Sequence, residues 1–142
     1  MSYRILTADE AHWRPSNQMA VLNTDLAKQL GATTLGARLW RLKPGQASTR
    51  HRHRIAEELY VLLEGSGRIR IGAELHTLAP FGAVLVEPGD VRQVFNDTGA
   101  DQLWLVASAP PEQANTLAMT PEALAWTYPD GPKALPPELA TA

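Results

Sequence analysis

The hydrophobic pattern changes character twice along the chain. Between residues 36 and 109, short apolar or alternating runs recur: Ala37 to Leu42, Glu58 to Leu63, Arg68 to Ile71, Glu74 to Leu78, Ala83 to Val86, Gln93 to Phe95 and Gln102 to Ala107. Turn-forming segments separate them, among them Lys43-Pro44-Gly45, Glu64-Gly65-Ser66-Gly67, Glu87-Pro88-Gly89-Asp90 and Asn96-Asp97-Thr98-Gly99. Many short strands punctuated in this way predict an all-β sandwich or barrel. Strict alternation in Arg68-Ile69-Arg70-Ile71 predicts isoleucines on a core and arginines toward water. Residues 1–35 are mixed and polar and carry one predicted helix. Thr24 is its expected N-cap, Asp25 lies in its first turn, Leu26 and Leu30 share a face, and Gly31 stops it. From Pro110 onward the chain holds seven of its eleven prolines. Thr120-Pro121-Glu122 opens a second short helix through about Trp126. Pro129, Pro132, Pro136 and Pro137 then exclude regular structure. The expected layout is one domain: an N-terminal arm (1–35), a β core (36–109) and an extended C-terminal arm (110–142) that packs on its own barrel or on a partner subunit.

Length and charge narrow the function classes. A chain of 142 residues supports one domain with a real core. Thirteen Lys plus Arg against fifteen Asp plus Glu leave a formal charge of −2. That balance argues against an electrostatic grip on nucleic acid or an anionic membrane. No apolar run approaches the roughly 18–20 residues of a membrane span. The N-terminus has no apolar signal core, so a cytoplasmic location is expected. The chain has no cysteine. Thiol nucleophiles and cysteine-ligated metal sites are therefore excluded, and any metal must take nitrogen or oxygen ligands.

The candidate chemistry lies in the β zone. His51 and His53 are two apart, so on a strand they share a face, about 7 Å apart along the chain. Two imidazoles on one face are a minimal chelating pair for a borderline metal ion. Glu57 and Glu58 follow, and either offers a hard oxygen ligand. Strand alternation places the two on opposite faces, and Glu58 is the one favoured. Arg50, Arg52 and Arg54 alternate with the histidines and are expected on the other, solvated face. His76 reads as a surface or satisfied-core histidine, and His12 lies outside the β zone. Gln93 reaches the pocket only if the register shifts by one. Trp40 and Trp104 read as core or interface residues.

The run from Gly45 to Gly65 places Gly45, His51, His53, Glu58 and Gly65 at intervals that resemble the first motif of the cupin family. Gly82 to Asn96 is similar to the second motif, which normally reads Pro-x-Gly-x-x-His-x-x-x-Asn. Aligning Gly89 and Asn96 puts Glu87 at the Pro position and Arg92 at the His position. Gly82 stands one residue closer than that pattern expects. The resemblance covers about residues 36–109, roughly half the chain. It implies a double-stranded β-helix, the cupin jelly-roll barrel, with short helices in the two arms. It also implies a divalent transition metal (iron, manganese, nickel or zinc) on His51, His53 and Glu58. Homodimerisation is expected by the same resemblance, and the apolar residues of the arms are compatible with it.

Arg92 departs from the pattern. Guanidinium stays protonated and has no lone pair for a metal. Two readings stand. In one, two histidines and a carboxylate hold a metal with open positions, and Arg92 neutralises a small anionic substrate beside it. The reaction is then a dioxygenation, isomerisation or decarboxylation of a small acid or sugar. In the other, Arg92 pairs with Glu58, and the barrel is a metal-free binding or sensing module. Tyr60 and Leu62 share the face of Glu58. Tyr60 joins Arg92 as a candidate catalytic residue lining the cavity.

Overall fold

The computed structural model describes residues 2–112 and 115–140. Among the described residues nine strands run in chain order: β1 (Arg14–Pro15), β2 (Leu22–Asp25), β3 (Gly36–Leu42), β4 (Glu57–Glu64), β5 (Gly67–Ile71), β6 (Glu74–Leu78), β7 (Ala83–Val86), β8 (Arg92–Phe95) and β9 (Gln102–Ala109). Helix α1 (Leu26–Leu30) follows β2, and α2 (Pro121–Thr127) lies in the C-terminal arm. Pairing is antiparallel throughout. The order is β1-β2-β3-β9-β4-β7 in a six-stranded sheet and β6-β5-β8 in a three-stranded one. Both sheets supply one core: Leu42, Tyr60, Leu62, Trp104 and Val106 from the larger, Ile69 and Val94 from the smaller. Among the described residues the two sheets do not close into a hydrogen-bonded ring. The segment before His53 instead extends the small sheet, through bridges from Ala47 to Phe95 and from His51 to Arg92.

Local chemistry explains the turns that frame these strands. Gly45 sits at φ +83° and Gly65 at φ +87°, a region that side chains disfavour. A Cβ on Gly65 would also lie 2.6 Å from the Asp101 carbonyl oxygen. Asn96 is fully buried and donates to Leu42 O (3.0 Å) and Ala100 O (2.8 Å), while its Oδ1 accepts from Thr98 N (3.0 Å). One amide thus ties the β3 end to the turn before β9.

The N-terminal arm differs from its expected form. It contributes β1 and β2 to the large sheet. The N-cap of α1 is Asp25, whose carboxylate accepts from Lys28 N at 2.9 Å. Thr24 is instead a fully buried β2 residue whose hydroxyl accepts from Gln29 Nε2. Gly31 ends α1 in the left-handed region. Thr120 caps α2 through Ala123 N, followed by Pro121 and Glu122.

The C-terminal arm packs on its own β core. Arg52 Nε donates to Trp126 O (2.6 Å). The Arg52 and Arg54 guanidinium carbons lie 4.2 and 4.0 Å from the Trp126 ring centroid. Arg50 pairs with Asp130, Arg70 pairs with Glu138, and Gln93 donates to Ala134 O. The expected solvated face of Arg50, Arg52 and Arg54 is therefore a clamp on the arm. Gln93 turns the same way. Arg68 and Arg70 do face outward, but carboxylates of Asp97 and Glu138 meet them.

Candidate metal centre

Strand alternation brings Glu58 inward. Along β4, Glu58, Tyr60 and Leu62 are buried while Glu57 and Leu59 are exposed. Glu58 stands opposite Val86 on β7 and Ser108 on β9. His51 is fixed by its backbone, since His51 N donates to Arg92 O (3.0 Å) and Arg92 N returns a bond to His51 O (2.8 Å). His53 lies beyond that bridge, in the link to β4. The two imidazoles meet edge to face, with centroids 5.0 Å apart.

Each histidine is held from behind. His51 Nδ1 is 3.0 Å from Thr49 O. A carbonyl only accepts, so a neutral ring that donates from Nδ1 to Thr49 O presents a bare Nε2 toward Glu58. His53 Nδ1 is 3.3 Å from Glu112 Oε2. Both Nε2 atoms lie 3.3 Å from Glu58 Oε1. His53 Nε2 is buried and has no properly directed hydrogen bond among the described residues.

One donor atom from each of His51, His53 and Glu58 falls within 4.8 Å of the others. Ligands bound at about 2.0–2.2 Å to one ion sit roughly 3 Å apart, so a 3.3 Å spacing suits a shared metal. The donor set, two imidazoles and a carboxylate, is also right in kind. These three residues are placed to hold a metal.

Glu58 Oε1 also receives Tyr60 Oη (2.7 Å) and Arg92 Nη1 (2.8 Å). Burial alone pushes the Glu58 carboxyl up. The contacts with His51 and His53 outweigh it and hold the group well below the usual carboxylate range. Burial, then the Glu58 charge, drive the Tyr60 phenol well above its ordinary value, so it stays protonated and donates. Burial lowers His53, but its contacts with Glu58 and the charge of Glu112 leave it raised overall.

Arg92 does not meet the cleft. Its side chain is 0% exposed. Nε donates to Asp90 O (2.8 Å), Nη1 to Glu58, and Nη2 to Glu87 O (2.6 Å). The structure thus contains the Arg92–Glu58 pair, with the guanidinium buried against the same oxygen that faces the two histidines.

The cleft in front of the three ligands measures about 570 Å³. Its lining includes His51, His53, Glu58 and Tyr60, with Arg38 and Trp40 of β3 and with Glu112, Thr116 and Tyr128 of the C-terminal arm. Arg38 is the inward-facing cation of β3. It pairs with Asp25 (3.0 Å), donates to Asn23 Oδ1 (2.8 Å) and lies 5.9 Å from the Trp40 ring. Alternation of Arg38, Trp40 and Leu42 was the signal that could have placed it. Nothing in the hydrophobic pattern marks Glu112 or Tyr128. His76 is exposed beside Glu74, and His12 is exposed, both away from the site. Trp104 is fully buried in the core and Trp40 packs at its margin.

The cupin domain family model matches residues 38–108. The chain belongs to the cupin family. A sugar phosphate isomerase of the cupin superfamily from Silicibacter pomeroyi superposes with a TM-score of 0.69 at 23% identity, over 76% of each chain. A protein from Thermus thermophilus is 28% identical over 75% of this chain and 96% of its own, with a TM-score of 0.60. A predicted oxalate decarboxylase from Thermotoga maritima reaches 0.67 at 17% identity, over 76% of this cupin and all of that chain. No protein of curated function matches the sequence. The double-stranded β-helix architecture is common to these structures.

Proposed function

We propose that this cupin binds one divalent transition metal on His51, His53 and Glu58 and acts there on a small anionic organic molecule held in the cleft. The observation that carries the reading is the convergence of three donor atoms within 4.8 Å in the wall of a cleft of about 570 Å³. That volume suits a metabolite-sized ligand. A metal so held would supply Lewis acidity to an oxygen of the substrate. The protein's own residues do the rest. Arg92 and Tyr60 hold Glu58 in place by two hydrogen bonds to Oε1. With Arg92 fully buried on Glu58, the substrate anion falls to the cations that line the cleft, of which Arg38 is the one stacked beside Trp40. Trp40 offers a flat apolar face beside it. The similar folds named as a sugar phosphate isomerase and a predicted oxalate decarboxylase support isomerisation or decarboxylation as reaction classes. Fold does not choose between these and dioxygenation.

A second reading is favoured by one observation, the 2.8 Å Arg92–Glu58 contact. It puts a positive charge next to the ligand oxygen and makes the chain a metal-free module for small anions. One experiment separates the two. Tag-free protein is purified without added metal or chelator, and metal is measured by inductively coupled plasma mass spectrometry. The metal reading expects near-stoichiometric iron, manganese, nickel or zinc, and its loss in the folded His51→Ala/His53→Ala double variant. Unchanged metal content in that variant would sink it. Wild type that stays metal-free on titration with all four ions, yet is stabilised by small anions, establishes the second reading instead.

A further inference from the structure

We infer that Glu112 is a positioning residue for the metal centre: its carboxylate holds His53 by Nδ1 and so points the Nε2 lone pair at the space shared with His51 and Glu58. The inference rests on the metal reading for what Nε2 does, but not for how the ring is held. Glu112 stands outside the 38–108 match to the family and comes from the C-terminal arm. Strand register explains its reach. Ala109 pairs with Glu57 at the end of β9, and three more residues bring Glu112 alongside the link before β4.

There the carboxylate meets four donors. Oε1 accepts from Ile55 N (2.8 Å) and Ala56 N (3.0 Å). Oε2 accepts from Arg54 N (2.8 Å) and stands 3.3 Å from His53 Nδ1. Three backbone donors fix the carboxylate, so the imidazole must adapt to it. An ionised carboxylate carries no proton to give. A neutral ring that donates from Nδ1 to this carboxylate leaves Nε2 bare, the form a metal takes, whereas a proton on Nε2 would face Glu58 Oε1 at 3.3 Å instead. Thr49 O does the same for His51 from another direction. The two histidines are thus oriented by unrelated parts of the chain, one local and one from the arm.

The variant Glu112→Gln tests this. A glutamine keeps the size and one acceptor oxygen for Ile55 and Ala56. Its amide nitrogen can only donate, so it faces His53 Nδ1 with the wrong group, and the ring's proton moves to Nε2. Zinc affinity, measured by chelator competition, is expected to fall about 10–100-fold. Nitrogen chemical shifts of the neutral His53 ring are expected to report a proton on Nδ1 in wild type and on Nε2 in the variant. An anchor for the loop alone would lower the melting temperature and leave the tautomer unchanged. Zinc binding by the folded variant within about twofold of wild type overturns the inference. So does a wild-type ring protonated on Nε2, a measurement that stands even if the variant does not fold. Wild type that binds no zinc but carries the Nδ1 proton overturns the metal reading and supports the positioning role.

Discussion

At the scale of single residues, Arg92 is held by a buried ion pair with Glu58 and by two backbone carbonyls. Its guanidinium is planar, and each of its three nitrogens donates to an oxygen inside the protein. Removing it leaves Glu58 buried with a charge and one partner fewer. Breaking a buried pair from one side costs about 3–5 kcal/mol. We expect Arg92→Met to lose about that much in urea unfolding, with a smaller loss at low pH where Glu58 is protonated. A loss below about 1 kcal/mol, with weaker ligand binding at full stability, would return Arg92 to the cleft as a substrate contact. The identities of His51, His53 and Glu58 were legible in the spacing of one motif, and alternation along β4 separated Glu58 from Glu57. For Arg92 the motif left two destinations open, a substrate anion or a pair with Glu58, and did not choose between them. A substituted motif position names the residue, whereas its partners are carbonyls of Glu87 and Asp90 that only the folded turn brings to it.

At the scale of elements, turn chemistry foretold most of the strands, because Gly and Pro stop them locally. The expected and observed bounds of the β5–β6 hairpin differ by one residue. The arms were less legible, since their structure depends on distant partners. β1 and β2 form because β3 offers an edge, and α2 is placed by Trp126 between two arginines. Cation–π contacts at partly exposed sites are worth about 0.5–1 kcal/mol each. Trp126→Ala is therefore expected to cost about 1–2 kcal/mol locally rather than unfold the sheets. The readout is amide hydrogen exchange. The Arg52 amide, bonded to Thr127 O, should lose protection, and the β3–β9 ladder should keep it. Equal loss in both would mean that the arm and the core unfold as one unit.

At the scale of the whole molecule, the site lies where the two sheets meet. Glu58 belongs to the larger sheet, while His51 and Arg92 are joined to the smaller one. A metal on His51 and Glu58 thus cross-links the sheets and should stabilise the entire fold. At a free metal concentration of 100 Kd the gain is about 2.7 kcal/mol. For a chain of this length that is a rise of roughly 5–11 °C in melting temperature. The gain should vanish in His51→Ala/His53→Ala. Its pH dependence carries a definite sign. His53 is raised above its ordinary value of 6.5 in the folded protein. Without metal, its contribution is fully present below pH 6.5 and is lost as pH rises through the folded value. A metal needs the bare ring and competes with that proton. Its stabilising increment should therefore grow as pH rises above 6.5 and shrink below it, opposite to the metal-free trend. Thermal melts of chelated and metal-loaded protein across that window measure both slopes. Parallel slopes would mean that His53 is not a ligand.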